Sequence, residues 1–246
     1  MGQVIRFQDL NLWSLTLTGV SPPPDDPSNE ILSKFFGRPV RICQKSGDVR
    51  GPGKKAPSSG LGYSKSTTAF ADTYPLHMIS LQSLRSIARS ITDLTPSIPG
   101  STENEFDFSI NNAIQRLRPN IVVDLDDGSE PDDIQGAFEE DKWGRLELIH
   151  LTGESGGDDI LVVGECVRCT LPNVDPDTGV RHPTLPHKVI SSERPKKVDE
   201  FVGVLCPLLG VYAIPIARNE TNGLDPEGVW RVGDRVKVKN IVDRSI

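Results

Sequence analysis

The sequence is poor in cysteine and in aromatic residues. Four cysteines are too few to act as a disulfide scaffold for 246 residues, which favours a reducing compartment inside the cell. Eight Phe, three Tyr and three Trp offer little material for the stacking platforms that bind single-stranded nucleic acid. An excess of basic residues is missing too, because the net charge is −7 at pH 7. We therefore expect no nucleic-acid partner.

Long apolar runs are also missing. A membrane-spanning helix needs about 18 or more consecutive apolar residues, and the sequence contains no such run, so we expect no transmembrane segment. The first residues lack the basic region, the apolar core and the small-residue cleavage site of a secretory signal. Together with the few cysteines, these features predict an intracellular location.

Proline and glycine are abundant, with 20 and 22 residues, and they predict short helices with many connections. Residues 22–27 predict an extended, helix-free spacer, after which Asn29 can cap a helix that runs through Phe36 and ends at Gly37. Residues 39–43 alternate like a strand, and 46–66 have the composition of a surface loop. Ser80 can cap an amphipathic helix, and a short helix is expected at 110–117.

The second half of the sequence is β in character. Short runs rich in Val, Ile and Leu are separated by Asp- and Gly-containing turns. These runs lie at 121–124, 146–151, 160–163, 211–216 and 232–238. Because no βαβ repeat is present, a doubly wound parallel sheet is not expected. The predicted fold class is therefore mainly β with a few helices (α+β), built as an antiparallel barrel.

The densest chemistry of the sequence lies in the segment Cys166-Val167-Arg168-Cys169. Two thiols three positions apart can share a metal ion, form a redox pair, or simply pack in a core. A thiolate near neutral pH needs positive charge beside it, and Arg168 can provide that charge. The spacing alone leaves two buried structural cysteines as good an explanation as a functional pair.

A zinc site of the Cys2His2 type is the first alternative, because His182 and His187 follow the two cysteines at suitable spacing. A zinc finger presents its histidines from a helix. Here Pro183 and Pro186 lie between the histidines, and the segment before them is interrupted by further proline and glycine. We therefore do not favour zinc, since spacing without the helical context is a frequent false match.

Two other local patterns have plain explanations. Residues 153–157 match the Gly-x-Ser-x-Gly motif of hydrolases, which needs a helix after the serine. Strand-like runs lie on both sides here, so we expect a glycine-rich hairpin connection. The acidic run 124–133 resembles a calcium loop, but its glycine and its last ligand are out of position, so we expect a solvated turn.

Basic residues enter a predicted strand in the segment Arg116-Leu117-Arg118-Pro119-Asn120. Guanidinium groups bind phosphate through a bidentate fork, and an asparagine amide can pair with the edge of a heterocycle. The alternative is an ordinary basic rim of a barrel. The residues by themselves favour this rim, because surface charges are usually only solvated.

Taken in order, seven segments of the sequence resemble the MOSC domain, a family named for the C-terminal part of molybdenum cofactor sulfurase. They lie at 70–84, 118–123, 138–143, 166–169, 174–179, 207–212 and 232–236. Cys-x-Arg-Cys at 166–169 followed by Val-Asp-Pro-Asp-Thr-Gly at 174–179 is most similar to the branch of the mitochondrial amidoxime-reducing component. The resemblance covers about residues 30–240 and implies a MOSC-type antiparallel β-barrel.

The resemblance also implies the molybdenum cofactor, in which molybdopterin holds the metal. In that branch the second cysteine of the loop binds molybdenum, which implies Cys169 as metal ligand and catalytic residue. Cys166 would support or pack beneath the loop. The further cofactor contacts implied by the resemblance are Arg118, Asn120, Arg168, Thr73 and Tyr74. Soft thiolate suits molybdenum, and arginines neutralise an anionic cofactor.

The activity implied by the resemblance is the reduction of N-hydroxylated substrates. The electrons would come from a separate protein, a cytochrome b5-type system, and the compartment would be cytoplasmic or mitochondrial. The alternatives are a module that carries the cofactor or a sulfur atom for another enzyme, and a shortened paralogue without metal. At family level the resemblance also carries an association with pyridoxal phosphate.

The sequence departs from the family near its start. Relatives contain a Tyr-Pro-Ile-Lys-Ser-like segment in a small N-terminal β domain, and residues 1–30 contain no such segment. The chain is therefore interpreted as N-terminally shortened. We expect an N-terminal segment with a Pro-rich spacer at 1–29, a remnant of the β domain with a flexible loop at 30–66, and the MOSC domain at 67–242.

Overall fold

The computed structural model describes residues 5–12, 15–46, 74–94, 106–124, 134–152, 155–197, 205–217 and 230–243. These residues form two compact units. The first contains the described residues up to 46 together with Tyr74 and Pro75, and the second contains those from Leu76 onward. None of the described helices is long and apolar enough to cross a membrane.

The first unit is a small sheet with one helix. Strand β1 (Ile5–Leu12) pairs antiparallel with β2 (Leu15–Ser21), and β2 pairs with the two-residue strand β3 (Gln44–Lys45). Helix α1 spans Pro27–Phe36 and ends at Gly37 in the left-handed conformation, as the sequence predicted. A glycine adopts this conformation without the steric cost that a Cβ imposes.

Two local predictions in this unit were wrong. The cap of α1 is Asp26, whose side chain accepts from Ser28 N at 2.9 Å, and Asn29 lies inside the helix. The proline-rich spacer therefore ends at Asp26, one residue earlier than predicted. Pro27 is the first residue of the helix, a position where proline is tolerated because its N–H would have no partner within the helix. Residues 39–43 form no strand, since the pairing with β2 begins only at Gln44.

The second unit contains one curled sheet, a half-barrel. Its strands are β4 (Leu76–Ser80), β5 (Ile121–Val123), β6 (Trp143–Ile149), β7 (Ser155–Val167), β8 (Pro195–Lys197), β9 (Leu205–Ala217) and β10 (Arg235–Ile241). The strand order is β10-β6-β7-β9-β4-β5, with β8 beside β9. Every pairing is antiparallel except that of β4 with β5. The predicted α+β class with an antiparallel sheet is therefore confirmed.

The helices of this unit are α2 (Leu81–Leu94), α3 (Ile110–Leu117) and α4 (His187–Glu193). Both predicted helices are confirmed, and Ser80 caps α2 by accepting from Ser83 N at 3.1 Å. Buried residues of all three helices pack with residues of the sheet and its connections into one core. They include Ile79, Leu84, Ile87, Leu117, Leu185, Ile190 and Leu209.

The sequence did not predict β4 or α4. Strand β4 is buried almost along its whole length, so it lacks the alternation that identifies a half-exposed strand. Helix α4 begins directly after Pro186, a position where a proline does not interrupt a helix. The serine of the Gly-x-Ser-x-Gly segment begins β7, and Ser155 pairs antiparallel with Ile149, as expected for a hairpin connection.

A buried carboxylate fixes the start of α2. Glu140, in the 3₁₀ turn Glu139–Lys142, is fully buried and accepts from Ser80 Oγ at 2.9 Å and from Ser83 Oγ at 2.8 Å. Ser83 Oγ in turn accepts from Phe138 N at 2.8 Å. The N-terminus of a helix stabilises a negative charge, so the carboxylate is favourable at this position. Its hydrogen bonds to Ser80 and Ser83 join the turn before β6 to the end of β4.

Candidate functional site

The two cysteines of the 166–169 loop have different environments. Cys166 is the second-to-last residue of β7 and is buried. Cys169 lies two residues beyond the strand and is exposed. The backbone N–H of Arg168 donates to Pro207 O at 2.8 Å and holds the loop against β9. Leu171 N approaches Cys169 Sγ at 3.4 Å. The fold therefore presents one thiol at the surface and retains the other as packing.

Arg168 is an internal bridge rather than a surface charge. Its Nη2 donates to Leu117 O at 2.7 Å, and its Nη1 lies 3.1 Å from Cys166 Sγ and 3.4 Å from His77 Nε2. These contacts join the cysteine loop to the end of α3 and to β4. Its Nε is buried and has no hydrogen-bond partner among the described residues. Such a donor is costly to leave unpaired, so it is a candidate contact for a bound anion.

The basic segment after α3 divides into an internal and an exposed arginine. Arg116 is buried, with Nη2 at 2.7 Å from Asp175 Oδ2 and Nη1 at 3.2 Å from Pro172 O. It also donates to the Asn112 side chain and lies 4.7 Å from the centre of the Phe106 ring. These internal contacts occupy the guanidinium donors of Arg116, so the side chain is not available to bind a phosphate.

Arg118 and Asn120 follow at the surface. Arg118 ends α3 in the left-handed conformation with φ 56°, and its side chain is exposed. Asn120 Oδ1 accepts from His77 N at 2.8 Å, while Asn120 N donates to His77 O at 2.8 Å. Asn120 is thus held on β4 by its side-chain oxygen and by its backbone N–H. Its amide Nδ2 makes no hydrogen bond within the part of the chain that the structure describes.

The segment Val-Asp-Pro-Asp-Thr-Gly forms a tight turn beside the cysteine loop. Asp175 Oδ1 accepts from Thr178 N at 2.8 Å and from Asp177 N at 3.1 Å, and Gly179 closes the turn with φ 73°. Hydrogen bonds from Thr178, followed by Asn112 and the charge of Arg116, lower the pKa of Asp175 to about 2. The carboxylate is therefore ionised at neutral pH and ties the turn to Arg116.

Two predicted site residues remain, namely Thr73 and Tyr74. Thr73 lies outside the described residues. Tyr74 is described and is buried, with 7% of its surface exposed. Their role as cofactor contacts stays a prediction.

His77 and Gly210 complete the site, and the sequence did not single out either. His77 is 8% exposed on β4, with its imidazole against the Arg168 guanidinium. Burial, followed by the charge of Arg168, lowers the pKa of His77 from 6.5 to about 4. Gly210 has φ 76°, and a Cβ on it would lie 2.5 Å from His77 Nε2. A glycine inside a strand pattern is the signal that marks such a close approach.

The lowered pKa of His77 predicts a pH-dependent stability. As the pH falls from about 6.5 to about 4, the unfolded chain binds a proton on His77 while the folded chain does not, so folding loses up to about 3 kcal/mol. The charges that act on this ring are Arg168, which opposes protonation, and Glu140, which favours it. Urea denaturation at pH 7 and pH 4.5 measures the effect. In His77→Leu the decline should be smaller, and parallel pH curves for the two proteins would contradict the assignment.

The two histidines of the zinc-like spacing have local partners. His182 Nδ1 accepts from Leu185 N at 2.8 Å, and His187 begins α4, where its Nδ1 lies 3.3 Å from Ser191 Oγ. Among the described residues, no group of three or more His, Cys, Asp or Glu side chains is arranged to hold a metal ion. A metal bound through a single cysteine would not form such a group.

A cavity of about 650 Å³ lies among residues of the 3₁₀ turn, β7, α4, β8 and β10. Two ion pairs lie along it. Lys196 Nζ lies 2.8 Å from Glu165 Oε1, and Arg194 contacts Asp141. Neither Cys169 nor Arg168 lines this cavity. The cavity is therefore separate from the cysteine loop.

Comparison with known proteins places the chain in a family. The MOSC domain matches residues 65–237. The chain belongs to the MOSC family. Its cysteine loop, its Arg-Pro-Asn segment and its Asp175 turn all lie within the matched range.

Two groups of curated proteins are similar in sequence to this MOSC chain. Molybdenum cofactor sulfurase of Bos taurus is 34% identical over 170 residues, which cover 68% of this chain and 17% of the sulfurase. Mitochondrial amidoxime reducing component 2 of Rattus norvegicus is 32% identical over 235 residues, covering 94% of this chain and 56% of that protein. The chain thus spans little more than half of the rat relative and about a sixth of the bovine one.

Proposed function

We propose that this MOSC chain binds the molybdenum cofactor, with the Cys169 thiolate as the protein ligand of molybdenum. The observation that carries the proposal is the contrast within one loop, where Cys169 is exposed while Cys166 is buried. A ligand must be a thiolate that the metal can reach. The Arg168 contacts and the Asp175 turn support the backbone on either side of Cys169, so that the ligand is held in place before the cofactor binds.

The residues around Cys169 fit an anionic cofactor. Arg168 Nε is a buried donor without a partner among the described residues, and the exposed Arg118 guanidinium lies at the end of α3. Arginine binds phosphate through planar, bidentate contacts. Asn120 Nδ2 adds a donor for the pterin edge. Thr73 and Tyr74 are proposed as further contacts on the family pattern. Pyridoxal phosphate is not part of the proposal, because its covalent attachment requires a lysine, and these side chains include none.

The proposed activity is the reduction of N-hydroxylated substrates. The cofactor, when bound, supplies the two-electron chemistry at the metal. The chain contributes the thiolate, neutralises the phosphate and holds the pterin in one orientation. Electrons would come from a separate protein, a cytochrome b5-type system, and a mitochondrial location is proposed with it. Support for this choice comes from the relative named mitochondrial amidoxime reducing component 2, which aligns with 94% of the chain.

A carrier of the cofactor or of sulfur is the second candidate. The relatives named molybdenum cofactor sulfurase support it, together with the accessible thiol of Cys169, which can take over the outer sulfur of a donor persulfide and release the donor as a thiol. In this case the chain binds the cofactor or carries sulfur but does not turn over a substrate. A paralogue that folds without metal is the third candidate.

Metal and pterin analysis of the purified full chain tests the proposal. The protein should be produced in a host that makes the molybdenum cofactor, and molybdenum and pterin should be present in near-equal amounts. Absence of both would overturn the proposal and leave a sulfur carrier or the metal-free paralogue. Reduction of an amidoxime with an artificial electron donor then separates the enzyme from the carrier, since only the enzyme consumes substrate.

A further inference from the structure

We infer that His77 is a positioning residue of the cofactor site, whose imidazole accepts a hydrogen bond from Arg168 and thereby orients this arginine and the cysteine loop. The inference rests on the proposed cofactor binding at Cys169. It concerns a residue that lies outside the cysteine loop and the Arg-Pro-Asn segment.

The imidazole lies where several cofactor-site segments meet. Its Nε2 is 3.4 Å from Arg168 Nη1, and the backbone carbonyls of Arg118 and Leu209 lie within hydrogen-bonding reach of the ring. One histidine on β4 thus contacts the cysteine loop, the end of α3 and strand β9.

Only the neutral ring can serve Arg168 in this way. A guanidinium has donors and no acceptor, so the nitrogen that faces Arg168 must carry no proton. The single proton of the neutral ring is therefore on Nδ1. Burial of His77 and the charge of Arg168 both disfavour the imidazolium, and they hold the ring neutral at physiological pH.

The backbone around the ring is arranged to keep it in place. Asn120 forms two 2.8 Å hydrogen bonds to the main chain of His77, one to its N–H and one to its carbonyl. Gly210 leaves the space that Nε2 occupies, because any Cβ there would lie 2.5 Å from that atom. Both the position of the ring and the direction of Nε2 are therefore determined by neighbouring residues.

The consequence for the site is control of Arg168. The arginine has three acceptors, namely Leu117 O, Cys166 Sγ and His77 Nε2, and these leave Nε without a partner among the described residues. Removing the His77 contact leaves Nη1 with only the weak sulfur acceptor of Cys166, so the guanidinium is held less firmly and the direction of the Nε donor is less well fixed. Outer-shell partners of metal ligands typically change metal affinity by about 10- to 100-fold, and we expect the low end of this range for His77 because it acts through Arg168.

A pair of substitutions tests the inference. His77→Leu keeps a similar volume without an acceptor, whereas His77→Gln keeps an amide oxygen that can accept from Arg168. Molybdenum content per folded protein should fall on the order of tenfold in His77→Leu and stay near wild type in His77→Gln. A residue that only packs would give the opposite order, since leucine suits a buried site better than glutamine. His150→Leu is the matched control, because His150 follows β6 at the opposite end of β7 from Cys166.

A second measurement needs no cofactor. Long-range proton–nitrogen spectra of the cofactor-free protein at pH 7 should show His77 with a protonated Nδ1 and an unprotonated Nε2, and Arg168→Ala should shift the Nε2 signal. An unchanged signal, or equal molybdenum content in His77→Leu and wild type, overturns the inference. A wild-type protein without molybdenum overturns the proposed function instead, and with it the role of His77 toward the cofactor, whatever the spectra show of the hydrogen bond.

Discussion

Cys169→Ala should remove molybdenum from the protein, whereas Cys166→Ala should retain it. The expected molybdenum content of Cys169→Ala is lower than wild type by at least about tenfold, because the substitution removes the proposed thiolate ligand. Cys166 is buried beneath the loop, and its sulfur is a weak acceptor for Arg168, which keeps its contacts to Leu117 O and His77 Nε2 in the alanine variant. Metal analysis of the three proteins, produced side by side in a host that makes the cofactor, measures the difference.

Stability provides the control for this experiment. Cys169→Ala should leave the melting temperature of the cofactor-free protein nearly unchanged, because the exposed side chain packs against little. Cys166→Ala should lower the free energy of unfolding by about 1 kcal/mol, since it leaves a small void in a buried position. Loss of molybdenum in Cys166→Ala with retention in Cys169→Ala would reverse the ligand assignment.

Arg116→Met should destabilise the protein strongly although it lies in the same short motif as Arg118. The substitution leaves Pro172 O and the Asn112 side chain without their donor and releases the Asp175 turn. We expect a loss of about 3 kcal/mol, because the arginine side chain is only 2% exposed and its partners lose their hydrogen bonds inside the protein. Calorimetry should record a melting temperature lower by about 6–12 °C.

Arg118→Met is the matched control for this prediction. Its side chain is exposed, so the free energy of unfolding of the cofactor-free protein should change by no more than about 0.5 kcal/mol. The two variants remove the same charge two positions apart. Equal stability losses would show that Arg116 does not act as the internal anchor of the Asp175 turn.

Much of the fold was predictable from local patterns. The apolar residues of α2 recur at helical spacing, and Ser80 caps that helix as predicted. Helix α3 has the predicted bounds, and the β-rich second half forms the expected antiparallel sheet. These features depend on neighbours within a few residues, where periodicity and capping act. Strand β4 was missed for the same reason, because burial on both faces removes its periodicity.

The roles of the site residues were only partly predictable. The sequence contains two cysteines and two arginines in short motifs, and the residues alone cannot say which member of each pair is internal. The end of strand β7 determines which cysteine is internal, because Cys166 is buried within the strand and Cys169 is exposed beyond it. Helix α3 determines which arginine is internal. Arg116 lies within the helix and contacts Asp175, whereas Arg118 follows the helix and is exposed.

The sequence by itself determined the residue types of the site, the helices α2 and α3, and the resemblance to the MOSC domain that the family match confirmed. Only the tertiary structure decided that His77 meets Arg168, since these residues are 91 positions apart. Burial and hydrogen bonding depend on which segments pack together, and local sequence patterns do not contain that information. For this reason the residue that joins the parts of the site is the one that the sequence did not single out.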